Sequence, residues 1–313
     1  MITPQTASTP LQASTASSPF SRAPTEEKLY DWAGGAFAGL VLTLIVAWVG
    51  FWLKRLALRS RFHALTGFNP ESSPVAVVGS PIWALPGTIR VTESRRALPL
   101  IGYGPLSAYA LMSARITLAR FGIKQLPELV LGDQFFHLTD DKKQGSDILL
   151  LGFPAGNAAA MQLEPMFHLP TRFETKPHRE IISTSDGVQL AHTEYAADDK
   201  AGHDIAVRDA GIVSRLVHPL NPMKRILYIA GCETFGVKIA AEGLTHANYP
   251  NIMGFNCFMR ALWTLGIIPT IANPKRSRIE FLAIFEAKVS GLSTGTSALK
   301  HSWVRNMADS NPT

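Results

Sequence analysis

Residues Asp147–Asn157 read DILLLGFPAGN, an apolar run that ends in a glycine and continues through a polar turn into an Ala-rich segment. Residues Arg225–Gly236 repeat this order as RILYIAGCETFG, again followed by residues that favour a helix. Each pattern is typical of a buried strand, a glycine turn and the start of a helix. Two such units in one chain predict an α/β domain.

The residues on either side of these two units alternate in the same way. We expect further strands at Val75–Gly79, Glu128–Leu131, Gly211–His218 and Ile279–Val289, helices at Tyr103–Gly122, from Ala158 and up to Thr245, and a hairpin turn at Asp186-Gly187. Strands separated by helices predict a largely parallel sheet with helices on both faces. We place this α/β domain at residues 73–291 and a C-terminal tail at residues 292–313.

The two glycine turns predict a shared ligand site. If their strands are neighbours, both turns lie at the carboxyl edge of the sheet, where open α/β folds bind ligands. Backbone N–H groups and helix dipoles would then favour a phosphate or a carboxylate. The residues expected to bind this ligand are Gly102, Gly104, Gly152, Pro154, Gly156, Asn157, Gly231, Thr234 and Gly236. The alternative is packing, because every α/β sheet needs small residues where the chain reverses, and neither turn matches a dinucleotide fingerprint or a P-loop.

Two carboxylates are the candidate catalytic residues. Glu233 is expected at the start of the second helix, either as an acid, base or nucleophile at a sugar carbon or only as a favourable charge for the helix dipole. Glu242 follows on the same helix. Cys232 is either a nucleophile or a buried small side chain. No spacing of ligand residues predicts a metal site, and the sequence leaves the cofactor and the existence of an enzymatic activity open.

Trp32–Leu53 is a run of 22 residues without a charged side chain: 17 are apolar, and the others are four glycines and one threonine. At 1.5 Å per residue, such a helix reaches about 33 Å and crosses the hydrocarbon core of a bilayer. Tryptophans stand at both ends of the run, as they do at membrane interfaces. We predict a single transmembrane helix at residues 29–55, in which the spacing of Gly35 and Gly39 permits a homo-oligomer through helix–helix contact.

The flanking residues predict how this helix is oriented. Residues 1–28, rich in Ser, Thr, Pro and Ala, are expected to form a disordered tail, and residues 56–72 a basic linker. The basic cluster consists of Lys54, Arg55, Arg59 and Arg61. Basic residues favour the cytoplasmic side, so we predict an inner-membrane protein with its C-terminal domain in the cytoplasm. The cluster either binds anionic lipid headgroups of the bilayer or acts only as a topology signal.

The composition of the chain excludes several classes of protein. Only 17% of the 313 residues are charged, which excludes a charge-rich disordered protein. Two cysteines, Cys232 and Cys257, are too few for a disulfide scaffold and lack the spacing of a zinc site. The net charge is +6, from 30 Lys and Arg against 24 Asp and Glu. Four of these positive charges belong to the basic cluster, so the net charge does not indicate binding to nucleic acid.

At its two strand–turn–helix units the chain resembles bacterial membrane-anchored proteins with a Rossmann-like sensor domain of the SLOG, TIR-like or deoxyribosyltransferase-like type. The resemblance is carried by DILLLG with the following Pro154-x-Gly156-Asn157, and by AGCETFGVKIAAE, where Thr234, Gly236 and Glu242 echo the SLOG motif. The paired glycines of SLOG-type nucleotide hydrolases are missing, which counts against hydrolysis more than against binding. The resemblance implies a Rossmann-like fold, a nucleotide-like ligand and a role as a sensor in signalling or bacterial defence.

Three hypotheses for the function follow. The first is a single-pass membrane protein whose cytoplasmic domain binds a nucleotide-like small molecule. The second is a membrane-tethered hydrolase or transferase that acts on the glycosidic bond of nucleotides, with Glu233 or Glu242 as acid or base. The third is a non-catalytic protein whose domain only docks partners.

Overall fold

The structure, a computed structural model, describes residues 26–69, 73–79, 103–120, 127–176, 179–198, 203–266, 279–291 and 293–306. The chain divides into two units, Met1–Trp52 and Leu53–Thr313. The predicted N-terminal tail lies outside the described residues as far as residue 25.

The first unit consists, where it is described, of the larger part of one long helix, α1 (Glu26–Thr66). From Trp32 onward this helix is long enough and apolar enough to cross a membrane. The side chains of residues 32–52 are all exposed. A soluble protein would bury so many apolar side chains, and this helix therefore agrees with the predicted apolar span near the N-terminus.

The second unit begins within α1. Residues 56–66, predicted as the first part of a linker, continue the helix, and Phe62 and Leu65 are buried in the core of this unit. The helix ends at Gly67, whose φ of 76° is in the left-handed region and whose N–H donates to the carbonyl of His63 (2.7 Å). The interpretation as a linker was wrong for these residues because the basic side chains obscured an apolar face.

A mixed sheet forms the centre of the second unit. The strands are β1 (Val75–Val78), β2 (Glu128–Leu131), β3 (Ile148–Leu151), β4 (Thr171–Lys176), β5 (Arg179–Thr184), β6 (Gln189–His192), β7 (Glu194–Asp198), β8 (His203–His218), β9 (Asn221–Gly231), β10 (Ile279–Ser290), β11 (Ser293–Thr294) and β12 (Ala298–Asn306). In the described part of the chain, the main sheet has the order β11-β10-β8-β9-β3-β1-β2, with β12 beside β10 and β7 beside β8. The remaining strands form a separate antiparallel sheet, β4-β5-β6.

Helices accompany the strands. They are α2 (Tyr103–Arg120), α3 (Asp140–Gly145), α4 (Ala158–Leu163), α5 (Thr234–Gly243), α6 (Tyr249–Ile252) and α7 (Cys257–Thr264), with 3-10 turns at Gln134–His137, Pro154–Gly156 and Glu164–Met166. The helices predicted after Tyr103, after Ala158 and before Thr245 are confirmed as α2, α4 and α5. The predicted turn at Asp186-Gly187 is confirmed as the connection of β5 to β6, where Gly187 has a φ of 83°.

The expectation of a largely parallel sheet is correct for one half of the sheet only. Strands β2, β1, β3 and β9 are parallel, whereas β8, β10 and β12 are each antiparallel to a neighbour. The two residues between β8 and β9 explain this change, because a parallel pair needs a crossover of a dozen or more residues. The fold is therefore an α/β domain with a mixed sheet.

The segment predicted as a C-terminal tail, residues 292–313, contains β12. This strand pairs with β10 from Ile279 opposite Asn306 to Glu286 opposite Ala298. The prediction of a tail was wrong here because most side chains of β12 are exposed. The strand therefore lacks the buried apolar run that marks β1, β3 and β9 in the sequence.

Two apolar cores lie on the two faces of the main sheet. Successive residues of β1 point to opposite cores, Ala76 and Val78 to one and Val75 and Val77 to the other. The first core includes side chains of α2, α5, α7 and the end of α1, and the second includes side chains of α4, β5 and β6. Helices thus cover both faces, as expected, and the small sheet adds to the second.

Candidate functional site

The carboxyl ends of β3 and β9 lie side by side. The two strands are parallel neighbours, with Leu151 opposite Ile229. The N–H of Gly152 donates to the carbonyl of Ile229 (2.9 Å), and the N–H of Gly79, after β1, donates to the carbonyl of Leu151 (3.3 Å). The two turns singled out in the sequence therefore lie at one edge of the sheet, as expected for neighbouring parallel strands.

Asn157 connects two strands at this edge to the start of α4. Its side chain is 1% exposed. Its Nδ2 donates to the carbonyls of Val77 (3.4 Å) and Leu151 (2.9 Å), and its Oδ1 accepts from the N–H groups of Ala159 (3.0 Å) and Ala160 (3.4 Å). Both amide hydrogens and the amide oxygen are engaged within the chain. The contacts of Asn157 are those of a helix cap that also links β1 to β3.

The other residues predicted at this first turn shape the chain around Asn157. Pro154 and Gly156 belong to the 3-10 turn before α4 and are half-buried. Gly152 has a φ of 108°, a conformation that glycine adopts without strain. Gly102 lies outside the described residues.

The remaining predicted ligand residues meet where α2 and α5 begin. A Cβ at Gly104 would overlap the carbonyl of Thr234, and one at Gly236 would overlap the carbonyl of Ala210. A Cβ at Gly231 would likewise overlap the backbone of Val237. These glycines let two helices approach the sheet closely, so the packing alternative accounts for them. Whether they also contact a ligand stays a prediction.

A pair of carboxylates lies at the turn between β9 and α5. Glu233 occupies the N-cap position of α5, is half-exposed, and accepts a hydrogen bond from the hydroxyl of Tyr195 on β7 (2.7 Å). Asp209 on β8 is fully buried. Its Oδ1 accepts from the hydroxyl of Thr193 (2.8 Å), and its Oδ2 accepts from the N–H of Gly236 (2.5 Å) in the first turn of α5. The carboxylate of Asp209 thus holds the position at this helix N-terminus that we expected an anionic ligand to take.

Burial raises the pKa of Asp209 to about 7. The hydrogen bonds from Thr193 and from the N–H groups of Ala210 and Gly236 oppose this rise, and the negative charge of Glu233 adds to it. Asp209 therefore changes its ionisation near neutral pH, beside a second carboxylate that is partly solvated. Such a difference between two neighbouring carboxylates is what enzymes use to obtain an acid and a base.

The other candidate residues lie apart from this pair. Glu242 is nine residues further along α5, about 13 Å along the helix axis. Its carboxylate accepts a hydrogen bond from the hydroxyl of Thr294 (3.0 Å). Cys232 is fully buried, whereas Cys257 is exposed. Within the described ranges, no group of three or more His, Cys, Asp or Glu side chains is placed to hold a metal ion.

Asp209, Tyr195 and Thr193 were not among the residues predicted from the sequence. They join the site because β8 and β9 form a hairpin in which Gly211 lies opposite Gly231. The residues just before Gly211 are thereby brought to the residues just after Gly231. One signal was available in the sequence. Asp209 is a charged residue directly before an apolar stretch, and a short turn joins this stretch to the next strand.

Comparisons of the chain with models of protein families, with curated proteins and with solved structures found no match. We therefore infer the function from the geometry of the site. The resemblance to membrane-anchored sensor proteins stays a prediction from the two motifs.

Proposed function

We propose that this chain is a single-pass inner-membrane protein whose cytoplasmic α/β domain binds a nucleotide-like small molecule and acts as a sensor in signalling or defence. The observation that carries the ligand proposal is the hydrogen bond from Tyr195 to Glu233 (2.7 Å), next to buried Asp209 at the carboxyl edge of β9. This arrangement favours a ligand whose N–H or O–H groups donate hydrogen bonds to the carboxylate of Glu233.

The membrane part of this proposal is supported by the exposed apolar surface of α1 and by the basic cluster that follows it. Labelling of cysteines on spheroplasts with a membrane-impermeant maleimide tests the orientation, because Cys257 is exposed and Cys232 is buried. We expect exposed Cys257 to be labelled only after lysis, and a cysteine introduced by Ser8→Cys to be labelled before lysis. Cys257→Ser is the control for specific labelling. The reverse pattern would contradict the proposed orientation.

The charges at the site favour the sugar or base of a nucleotide over its phosphates. Ribose hydroxyls and base N–H groups donate hydrogen bonds, and open α/β folds bind ribose through an Asp or a Glu at this edge. A phosphate placed here would instead meet the negative charge of Glu233, and Asp209 already accepts the N–H of Gly236. The ligand is therefore proposed to direct its nucleoside portion toward Glu233.

Calorimetric titration of the full chain in detergent micelles with the four ribonucleosides and their triphosphates tests the proposed ligand. We expect a nucleoside to bind about as tightly as its triphosphate. Glu233→Gln is expected to weaken binding about tenfold or more, because a hydrogen bond to a charged group contributes about 1.5–3 kcal/mol. Tyr195→Phe is expected to act in the same direction, because it removes the hydroxyl that orients Glu233.

The matched control is Glu194→Gln. Glu194 also carries a partly exposed carboxylate on β7, but this carboxylate pairs with Arg208 (3.1 Å) and should not affect affinity. Thermal unfolding of each variant shows whether it is folded. The proposal fails if no ribonucleoside or nucleotide binds to the wild-type chain, or if the two glutamine variants weaken binding equally.

A second candidate function is cleavage or transfer of the glycosidic bond of a nucleotide. Partly solvated Glu233 favours it, because the reaction needs a basic or nucleophilic carboxylate, and the charge of neighbouring Asp209, with a pKa of about 7, affects how readily Glu233 takes up a proton. Release of the base from nucleosides or NAD by the full chain, followed by chromatography, is the test. We expect Glu233→Gln and Asp209→Asn to abolish release and Glu242→Gln to retain it. Release that persists in Glu233→Gln would remove this candidate.

A further inference from the structure

A cleft of about 240 Å³ lies between the end of α1, α2 and the residues after α5. Its walls include the apolar side chains of Leu58, Phe62, Met112 and Leu118 and the guanidinium groups of Arg61 and Arg115. None of the described residues that line it is an Asp or a Glu. The cleft thus combines an apolar surface with positive charge, at the opposite end of α5 from Glu233.

The two arginines are held by neutral groups. Arg61 donates through Nη2 to the carbonyl of Thr264 (2.8 Å), at the end of α7. Arg115 donates through Nη1 to the carbonyls of Ala241 (2.8 Å) and Leu244 (2.5 Å), at the end of α5. The Nε of Arg61 is buried without a hydrogen-bond partner among the described residues. An anionic oxygen in the cleft would form charge-assisted hydrogen bonds with the guanidinium groups that line it.

Two ionisable groups that line the cleft have pKa values lowered chiefly by burial. Burial lowers the pKa of His246, which also lines the cleft, and the charges of Arg61 and Arg115 lower it further. Burial lowers the pKa of Arg115 as well, against the opposing effect of Glu242. Both shifts therefore come first from burial, and only the shift of His246 also reports the positive charge of the two arginines.

The position of the cleft along α1 indicates which anion is available. Leu58 and Arg61 follow Leu53, the last residue of the uncharged run, by five and eight residues. These separations correspond to about 8 and 12 Å of helix. The polar layer on each side of a bilayer is about 5–8 Å thick, so a helix that leaves the hydrocarbon core at Leu53 carries Leu58 and Arg61 into or just past the headgroups.

We propose that this cleft binds one anionic phospholipid of the surrounding membrane, with its phosphate between Arg61 and Arg115 and part of an acyl chain against Leu58, Phe62 and Leu118. The inference rests on the proposed membrane span but not on the proposed nucleotide site. It assigns to Arg61, one of the basic residues after the span, a specific lipid contact in place of a topology signal alone.

Native mass spectrometry of the full chain tests this inference. The chain is reconstituted in nanodiscs with equal amounts of phosphatidylglycerol and phosphatidylcholine of the same acyl chains, and the retained lipids are counted after release into mild detergent. We expect one phosphatidylglycerol retained in preference to phosphatidylcholine. Arg61→Gln should reduce this preference about tenfold, the effect of losing one charge-assisted hydrogen bond to the phosphate. Arg59→Gln removes the same charge outside the described lining of the cleft and should leave the preference unchanged.

A second variant keeps the test informative if Arg61→Gln fails to fold. Leu118 is 64% exposed, so Leu118→Glu should leave the fold intact while it places a negative charge in the cleft. We expect it to abolish retention, whereas Leu106→Glu, at a 52% exposed position of the same helix outside the lining, should not. Millimolar inorganic phosphate should not displace the lipid.

Three outcomes would overturn the inference: equal retention of both lipids, equal effects of Arg61→Gln and Arg59→Gln, or displacement by inorganic phosphate. Membrane fractionation separates this failure from a failure of the proposed function. A chain that stays in the membrane without a lipid preference contradicts the lipid site alone. A chain found in the soluble fraction contradicts the proposed span as well.

Discussion

The turns after β3 and β9 have similar sequences but differ in the groups that cap the helix behind them. After β3, the neutral amide of Asn157 caps α4 and also bonds to β1 and β3. After β9, the first turn of α5 receives the carboxylate of Asp209 from another strand, and Glu233 stands partly exposed beside it. At the turn after β3, the side chain of Asn157 occupies the helix N-terminus. At the turn after β9, the carboxylates of Asp209 and Glu233 place negative charge at the edge of the sheet.

This difference shows what a strand–glycine–helix pattern can and cannot predict. The pattern correctly predicts that both helices begin at one edge of a sheet. It does not predict whether the helix N-terminus is available to a ligand, because that depends on the group that caps it. We therefore expect loss of the capping side chain at the first turn to change stability, and loss of a carboxylate at the second to change pH dependence and ligand binding.

The largest effect is expected for Asn157→Ala. This change removes four hydrogen bonds in a buried place: those to the carbonyls of Val77 and Leu151 and those from the first N–H groups of α4. The free energy of unfolding should fall by about 3 kcal/mol, measured by denaturant unfolding of the full chain in detergent.

The control for Asn157→Ala is Asn256→Ala, since Asn256 caps α7 through one bond to the N–H of Met259 (2.9 Å) but is exposed. Its loss should cost about 1 kcal/mol. Equal losses in the two variants would show that the link between strands contributes nothing beyond the cap.

A smaller effect is expected from a pair of glycine substitutions, one in each turn. In Gly236→Ala, the new Cβ would overlap the carbonyl of Ala210 and lie 2.8 Å from the Cα of Gly231. Relieving this overlap between backbone atoms should cost about 2 kcal/mol. In Gly156→Ala, the atom nearest to the new Cβ is 3.4 Å away, on the ring of Phe153. The free energy of unfolding should therefore change by less than about 0.5 kcal/mol. Similar denaturation curves for both variants would contradict the close packing of α5.

A separate effect, spread over several pH units, is a dependence of stability on pH. The pKa of Asp209 rises from 3.8 to about 7 on folding, so the folded chain holds this proton more tightly than the unfolded chain does. The contribution of Asp209 to stability is therefore fully present below pH 3.8 and is lost as the pH rises toward 7. Unfolding free energies measured across this range should fall with pH in the wild type, and Asp209→Asn should lack this component.

Thr193→Val provides a directional control for the titration of Asp209. It removes a hydrogen bond that lowers the pKa of Asp209, so the loss of stability should extend to higher pH than in the wild type. Another group would be responsible for the pH dependence in either of two cases. In the first, Thr193→Val loses stability at lower pH than the wild type; in the second, the free energy of unfolding of Asp209→Asn falls with pH as steeply as that of the wild type.

Strands that are buried on both faces were predictable from the sequence. ILLL of β3 and the apolar part of β9 consist of consecutive apolar residues, and all of these residues are buried. The strand β12 was missed because its side chains are mostly exposed and alternate weakly. The end of α1 was misread because Phe62 and Leu65 follow a run of basic residues and become a core face only when the helix continues.

The candidate site was predictable only in part, for a related reason. Glu233 could be singled out because its position relative to the glycine turn is local in the sequence. Tyr195 and Asp209 lie 38 and 24 residues before it in the chain. Their approach depends on the pairing of β7 with β8 and of β8 with β9, which no local pattern specifies.

By itself the sequence determined an apolar N-terminal helix, two strand–turn–helix units and the shared edge at which they end. These features follow from the spacing of apolar residues and glycines over a few turns of chain, where burial and backbone conformation act locally. Only the tertiary structure decided that half of the sheet is antiparallel, that the end of α1 belongs to the core, and that Asp209 caps α5. Those features depend on contacts between distant residues, which the chain forms only when the whole sheet is assembled.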